Sequence, residues 1–417
     1  MVEAKEIKEG YKQTEVSIIP IDWDVKTIDE ISEVKSGKRL PLGKMLVDRE
    51  TSHPYIRVQD MFMGNVSLDS IKYVPDEVFH SIKNYRIFIS DIFISVAGTL
   101  GIVGKIPKTL DGANLTENAD RLTNITCDRN FLLYVLMSFL IQNKIESEMT
   151  LGAQPKLALT RIRKFQIPIP PTKAEQTAIA TALSDTDVLI TSLEKLIAKK
   201  RAIKQGVMQE LLKPKDVWEV KKLGDIGTLK ARIGWQGLTT SEYRKTGQFV
   251  LITGTNFKNG YIDWNNCFHV EEDRYKQDKN IQIKEHDVLI TKDGTIGKVA
   301  LVKSIPKPTT LNSGVFVIRP INNSFNPEFF YYILLSEVFS LFLAQLSAGS
   351  TIIHLYQKDF VSFQFFAPIT LQEQTRIAQI LSDMDSEIEA LEKKLEKYKQ
   401  IKQGMMQNLL TGRIRLV

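Results

Sequence analysis

Pro170-Pro171-Thr172-Lys173-Ala174-Glu175-Gln176-Thr177 opens a segment that ends Gln205-Gly206-Val207-Met208-Gln209-Glu210-Leu211-Leu212. Pro368-Ile369-Thr370-Leu371-Gln372-Glu373-Gln374-Thr375 opens another, ending Gln403-Gly404-Met405-Met406-Gln407-Asn408-Leu409-Leu410. Glu175 and Glu373 are 198 residues apart, and so are Gln205 and Gln403. A unit of that length is too long for a solenoid repeat. It predicts two globular domains, each followed by its own long helix. Thr172 with Glu175, and Thr370 with Glu373, have the spacing of a capping box at each helix start.

Along the helices, apolar residues recur in alternating steps of four and three. The predicted pairing positions are Ile179, Leu183, Ile190, Leu193 and Ile197 in the first helix, and Ile377, Leu381, Ile388, Leu391 and Leu395 in the second. This is a coiled-coil seam. The two seams differ where Thr186 stands against Met384 and Lys200 against Tyr398, and looser pairing is expected there. A helix of ~40 residues runs ~60 Å, longer than a domain of this size is wide, which argues against a helix packed wholly on its own domain.

The globular halves repeat more loosely. Trp23-Asp24-Val25-Lys26 pairs with Trp218-Glu219-Val220-Lys221, Tyr55-Ile56-Arg57 with Leu251-Ile252-Thr253, and Asp91-Ile92-Phe93-Ile94-Ser95 with Asp287-Val288-Leu289-Ile290-Thr291. Apolar β-branched runs bounded by Gly, Asp and Pro read as strands. Gly98-Thr99-Leu100-Gly101 and Gly294-Thr295-Ile296-Gly297 read as tight turns between strands. One helical run closes each half, near 130–145 and 327–346. The fold class is α+β: two similar mixed domains separated by two long antiparallel coiled-coil helices, with pseudo-two-fold symmetry. The divisions fall at 1–168 and 214–367 for the domains, and at 169–213 and 368–417 for the helical regions. The antiparallel pairing follows from connectivity, because the second domain begins at once after Lys213-Pro214-Lys215 and feeds the second helix at Pro368. Gly412-Arg413-Ile414-Arg415 is expected to return toward the first domain.

Composition fits a soluble globular protein: 43% hydrophobic, 25% charged, net charge +6. That balance is compatible with nucleic acid without requiring it. Cys127 and Cys267 have no CxxC spacing, which argues against a disulfide framework or zinc site. Met1-Val2-Glu3-Ala4-Lys5-Glu6 lacks the apolar core of a signal peptide. The apolar stretches Phe131 to Ile141 and Phe329 to Leu346 read as buried helices, so no membrane and a cytoplasmic location are expected.

No pattern points to catalysis. There is no phosphate-binding GxxxxGK[ST] loop, and Gly98-x-x-Gly101-x-x-Gly104 sits between strands rather than before a helix. Asn326-Pro327-Glu328-Phe329 has a cap and a first-turn Pro as its simplest explanation. The five histidines lack metal-ligand spacing. Polar clusters near strand ends are the DNA-contact candidates: Lys38, Arg39, Arg57 and Gln59 in the first half; Arg232, Gln236, Thr253, Asn256, Lys292 and Lys298 in the second. Such side chains read base edges and phosphates. The helices are near-copies while these loops differ, as expected if two similar domains recognise different things.

The chain resembles the specificity subunit of type I restriction–modification systems. The resemblance rests on the Pro-x-Thr-x-x-Glu-Gln helix openings, the Gln-Gly-x-Met-Gln-x-Leu-Leu endings, Trp-x-Val-Lys at each domain start and the lead-in Ile19-Pro20-x-x-Trp23. It covers the whole chain. It implies two target recognition domains, each reading one half of an interrupted double-stranded DNA site. It implies paired helices that act as spacer and dock two methyltransferase subunits, with restriction–translocation subunits completing the complex. It further implies no catalysis and no cofactor on this chain, S-adenosylmethionine belonging to the methyltransferase. Two other classes stay open at this point. A lone methyltransferase or nuclease would bind S-adenosylmethionine by itself. A scaffold without DNA would show affinity indifferent to salt.

Overall fold

The computed structural model describes residues 7–147, 156–347 and 354–416. The hexapeptide used for the signal-peptide reading lies outside the described residues. The chain forms two compact units, Met1–Glu194 with Lys394–Val417, and Lys195–Lys393. The division runs through both long helices, so each unit holds one mixed domain together with part of each helix.

In the first unit, strands Glu33–Ser36, Ala119–Thr123, Ile92–Ser95 and Val103–Gly104 make an antiparallel sheet in that spatial order. A second sheet runs Lys72–Tyr73, Pro54–Ile56, Ala113–Leu115, Arg86–Ile87, with one parallel pair, 54–56 beside 113–115. A short ribbon pairs Asp24–Thr27 with Gln166–Ile169 and delivers the chain to its long helix. The second unit repeats this plan. Gly227–Lys230, Val315–Pro320, Val288–Thr291 and Val299–Leu301 form the first sheet. Phe268–Val270, Phe249–Ile252 and Thr309–Leu311 form the second, again with one parallel pair. Trp218–Lys222 with Gln364–Pro368 is the ribbon.

The Gly-Thr-x-Gly steps are the expected turns. Gly98, Gly101, Gly294 and Gly297 all have positive φ, a region side chains resist. Ser95 Oγ donates to the Thr99 carbonyl at 2.6 Å, and the Thr291 hydroxyl does the same to Thr295.

Two expectations are corrected. Each closing helical run is a pair of helices, Arg129–Met137 then Phe139–Ser147, and Pro327–Leu335 then Glu337–Ser347. The second pair is bent by 61°. The breaks fall at Ser138 and Ser336, which are extended in ψ and turn their hydroxyls onto the Val135 and Ile333 carbonyls at 2.6 and 2.7 Å. A serine that bonds its own backbone competes with helix continuation. The capping boxes are only half formed. Thr172 and Thr370 accept from the Glu175 and Glu373 amides at 3.2 and 3.3 Å, but both carboxylates turn away to cations. Glu175 pairs with Arg415, and Glu373 with Lys215.

The long helices are Lys173–Leu211 and Leu371–Leu409. Ile179, Leu183, Ile190, Leu193, Ile197, Ile377, Leu381 and Ile388 are buried, and Leu391 and Leu395 are half-buried. The helix ends do more than pair. Ile179 and Leu183, with Leu409 and Leu410, belong to the core that holds Trp23, Phe131 and Leu136. Ile377 and Leu381, with Leu212, belong to the core that holds Trp218, Phe329 and Phe330. Thr186, one of the mismatched seam positions, donates to the Ala182 carbonyl at 2.9 Å and lies 3.5 Å from Met405 Sδ. Lys200, the other, forms a 2.6 Å ion pair with Glu387.

The repeated Glu-Gln phrase now has a physical reading. Gln176, buried, accepts from the Asp128 amide at 2.8 Å and donates to the Pro170 carbonyl at 3.0 Å. Gln374 does the same with Asn326 and Pro368, at 2.8 and 2.9 Å. Asp128 and Asn326 are themselves N-caps, accepting from the Phe131 and Phe329 amides. Each glutamine thus ties the start of a long helix to the start of the buried helix before it.

About three turns further along the long helix, Tyr134 donates to Asp187 at 2.8 Å, and Asp187 pairs with Lys402 at 2.6 Å. In the second unit Tyr332 donates to Asp385 at 2.8 Å, and Asp385 pairs with Lys204. In each unit the domain supplies the tyrosine, one long helix the aspartate and the other the lysine. Lysine and aspartate exchange helices between the units, and within each unit the two helix segments run antiparallel: Asp187 and Glu194 meet Lys402 and Lys399 in descending order. Burial first, then the carboxylate, pushes both phenols above their usual range, so they remain donors.

The C-terminal return is present. Arg415 meets Glu175 and Asp22 and lies 5.9 Å from the Trp23 ring. Gly412 has φ +68°, and a Cβ there would come within 2.5 Å of Pro20. Lys215 stands likewise 5.7 Å over Trp218.

Candidate nucleic-acid interface

The sequence candidates separate into those held inward and those presented outward. Arg57 is held inward. Its guanidinium makes a two-pronged pair with buried Asp60 at 2.8 and 2.9 Å and reaches the Ser70 carbonyl. Its own amide donates to Asp60 at 2.9 Å, which closes the short helical turn Val58–Asp60. The second unit builds that turn with neutral residues. The Thr253 amide and hydroxyl donate to Asn256 Oδ1 at 2.8 and 2.9 Å, and Asn256 Nδ2 donates to the Asn266 carbonyl at 2.7 Å. Thr253 and Asn256 are buried. The recurring polar pair is therefore a loop lock, and these three residues are corrected from DNA contacts to structural ones. Gln59 is exposed, with its amide beside the Arg57 guanidinium.

Arg232 is the clearest correction. It is 1% exposed. Nε donates to the Leu311 carbonyl at 2.9 Å, Nη1 to Gln277 Oε1 at 3.1 Å, and Nη2 to Thr310 Oγ1 and the Arg274 carbonyl at 3.2 and 3.3 Å. A guanidinium spent on four internal acceptors has none of its reach left for a duplex. Gln236 is also buried, and its Oε1 has no partner. Sequence reasoning cannot separate a buried arginine from an exposed one in a polar loop, because the carbonyls that receive it come from distant strands.

Lys38, Arg39 and Lys298 are exposed, and Lys292 is half-buried with Nζ 5.3 Å over the Phe316 ring. In the first unit Lys38 has company that the sequence did not single out. Its Nζ stands 5.7 Å over Tyr85. Arg86 follows on the strand Arg86–Ile87, and its guanidinium lies 5.3 Å from the exposed Phe88 ring. Arg121, opposite Lys35 on the neighbouring strand, donates to the Asn84 carbonyl at 3.4 Å and keeps a buried Nε without a partner. Burial, and then the neighbouring Arg86 charge, hold the Arg121 guanidinium below its usual range against the pull of Asp91. Among the described residues, Lys38, Arg39, Arg86 and Arg121 make no ion pair.

The large cleft of the second unit is different. Its volume is about 1100 Å³, and three of its cations are paired within it: Arg201 with Glu392, Lys204 with Asp385 and Lys393 with Glu389. Burial raises the Cys127 and Cys267 thiols to about 11 and about 12, so neither is a thiolate at neutral pH. No cluster of His, Cys, Asp and Glu among the described residues could hold a metal.

The model of the type I restriction modification DNA specificity domain matches this chain twice, over residues 20–205 and 215–403. The chain belongs to the type I restriction–modification specificity family. It is similar to two proteins of Methanocaldococcus jannaschii along nearly their whole lengths. One is a putative type I restriction enzyme MjaX specificity subunit, 28% identical over 98% of this chain and 97% of the relative. The other is the MjaVIII specificity subunit, 25% identical over 98% and 97%. The fold is similar to the crystal structure of a type I system S subunit from M. genitalium, with TM-score 0.60, 19% identity and coverage of 93% and 96%. A second solved structure, from work on assembly and conformational transition of a type I system, aligns with TM-score 0.57 and 16% identity over 95% of this chain and 99% of that one. The protein is thus a DNA-recognising specificity subunit and not itself an enzyme, and DNA and the modification and restriction subunits are the partners its family implies. No helix among the described residues is by itself long and apolar enough to cross a membrane.

Proposed function

We propose that each mixed domain reads one half of an interrupted double-stranded DNA site, and that the paired helices fix the gap between the halves. In this reading the recognition domains span residues 1–168 and 214–367, and the helical regions 169–213 and 368–417. The observation that carries it is the exchanged Tyr–Asp–Lys contact. Each domain is fastened to both long helices by the same three groups, with the two helices trading roles. A duplicated attachment of this kind offers two equivalent surfaces to two copies of one partner, here two methyltransferase subunits. Restriction–translocation subunits join them in the full complex. This chain binds no cofactor, and S-adenosylmethionine belongs to the methyltransferase. The assembly works in the cytoplasm.

The loops give the asymmetry. The Arg57–Asp60 lock becomes Thr253–Asn256, and the basic cluster around Tyr85 has no counterpart of equal charge. Two halves lined differently read two different sequences.

The test uses the helices as a ruler. Four residues inserted after Ile197, matched by four after Leu395, lengthen both helices by ~6 Å, roughly two base pairs at ~3.4 Å each. Methylation sequencing of a host carrying this subunit and its methyltransferase should show the same half-sites with a longer gap. An unchanged gap at unchanged half-sites would refute the ruler.

A further inference from the structure

We propose that Lys38, Arg86 and Arg121, gathered around Tyr85, grip the DNA backbone at the half-site read by the first domain, and that the second domain holds its half without such a cluster. The proposal rests on the two-domain reading above and assigns the residues that act in one of the domains.

Three observations converge. The first is placement. Lys35 and Arg121 are opposite one another on antiparallel strands, and residues so paired share a face of the sheet. The adjoining second sheet supplies Arg86, opposite Asn114. Lys38 enters from the end of strand Glu33–Ser36, held by its amide on the Leu115 carbonyl at 2.8 Å and by Tyr55 donating to its own carbonyl at 2.9 Å. Three segments distant in sequence thus bring cations to one place.

The second is the missing counter-charge. Lys35 is matched by Glu33 at 2.6 Å, but Lys38, Arg86 and Arg121 have no carboxylate partner among the described residues. Buried Asp91 favours the Arg121 charge from a distance but forms no ion pair with it, and it accepts from the Phe88 amide at 3.0 Å. Like charges held near each other, with a buried Nε left unpaired, cost stability. An anion relieves that cost, and a phosphate offers the oxygen acceptors a guanidinium matches best. The Tyr85 ring beside Lys38 and the Phe88 ring beside Arg86 supply flat apolar surfaces of the kind that accompany backbone and sugar.

The third is the comparison within the chain, fixed by strand register. Asn114 faces Arg86, as Thr310 faces Gln282. Leu122 faces Ile92, as Ile318 faces Val288. The counterparts of Arg86 and Arg121 are therefore Gln282 and Val317. Lys35 faces Arg121, as Lys230 faces Val317, so Lys38 corresponds to Ile233. In the second unit the nearby Arg319 is neutralised by Asp287, with Nε and Nη2 each donating to one carboxylate oxygen at 2.6 Å. The same scaffold carries the cluster once.

The internal comparison also supplies the variant. K38I/R86Q/R121V installs the residues the fold already accepts at the equivalent positions, and the full complex with its methyltransferase is assembled around it. The probe is a duplex carrying the site mapped by methylation sequencing, titrated from 50 to 200 mM salt. Removing three phosphate contacts should lower the slope of log affinity against log salt by ~2.7, so the wild-type complex should lose roughly 40-fold more affinity across that range than the variant. R86K/R121K, which keeps the charge, should retain most of the slope. A triple variant that folds and assembles yet keeps the wild-type slope overturns the proposal, and so does the single R86Q variant if its slope does not fall at all. A wild-type complex that does not prefer the mapped site over a scrambled duplex would instead overturn the two-domain reading itself, so the two failures are distinguishable.

Discussion

Asp385 is the group whose removal should loosen the second domain most from its helices. Its side chain is 17% exposed, and so is that of Lys204, its partner. The Tyr332 hydroxyl donates to it at 2.8 Å, and Lys204 also stands 5.4 Å over the Tyr332 ring. Asp385→Ala leaves a largely buried ammonium and a buried phenol without their acceptor. Breaking a fully buried pair costs ~3–5 kcal/mol, and partial solvent access brings that down to about 3 kcal/mol. The equivalent Asp187 is 38% exposed, with Lys402 at 19%, so Asp187→Ala should cost only about 1.5 kcal/mol. Equilibrium urea unfolding of the full chain is the assay. With a slope near 3 kcal/mol/M, Asp385→Ala should lower the midpoint by roughly 1 M and Asp187→Ala by about half as much. In a double-mutant cycle, Asp385→Ala with Lys204→Ala should be non-additive by at least about 1 kcal/mol. Equal effects at the two aspartates, or strict additivity with Lys204, would show that the contact does not fasten the domain as argued.

Two further outcomes follow from the same geometry. Arg232→Met should destabilise the second unit by about 3 kcal/mol through orphaned buried acceptors, while the methylated sequence in a host stays the same; a stable variant with an altered half-site would reverse the assignment of Arg232 as structural. The phenols of Tyr134 and Tyr332 are raised by burial, so the folded state holds their protons more tightly than the unfolded one. The stability they contribute is fully present below the ordinary phenol value of about 10 and is lost as pH climbs above it. Tyr55, Tyr261 and Tyr331 are raised by burial as well, so ultraviolet titration should show these five tyrosines ionising late, together with unfolding, and Tyr134→Phe/Tyr332→Phe should take two phenols out of that late step.

Much of the scaffold was legible because periodicity and repetition are local properties. The seam from Ile179 to Ile197 and from Ile377 to Leu395 could be read from steps of three and four, and the burial agrees with it. The Gly-Thr-x-Gly turns were legible because positive φ selects glycine. The break at Ser138 and Ser336 was not, since an apolar run reads as continuous whether or not a serine bonds its own backbone. The second role of Glu175 was hidden for a different reason. Its spacing from Thr172 signals a cap, while Arg415, which takes the carboxylate, lies at the far end of the chain. Among the cations of the first unit without an ion pair among the described residues, Lys38 and Arg39 were marked by their loop, and Arg86 and Arg121 were not. The latter sit singly within strands, where no loop cluster marks them.

That two similar mixed domains alternate with two near-identical amphipathic helices follows from the order of residues alone, because hydrophobic period and internal repetition survive without knowledge of any contact. That order also placed the chain among DNA specificity subunits, because the helix-opening and helix-closing phrases are tied to that architecture. Only the tertiary structure decided which polar residues face water. Arg57, Thr253 and Asn256 turned inward onto polar groups of their own loops, and Arg232 onto acceptors distant in the chain, since those buried groups needed partners. Arg86 and Arg121 were left without an ion pair among the described residues, with Lys38 over the neighbouring Tyr85, since strand pairing brought their segments together and Asp91 acts on Arg121 only from a distance. Charge pairing depends on distance in space, and the order of residues along a chain does not encode that distance directly.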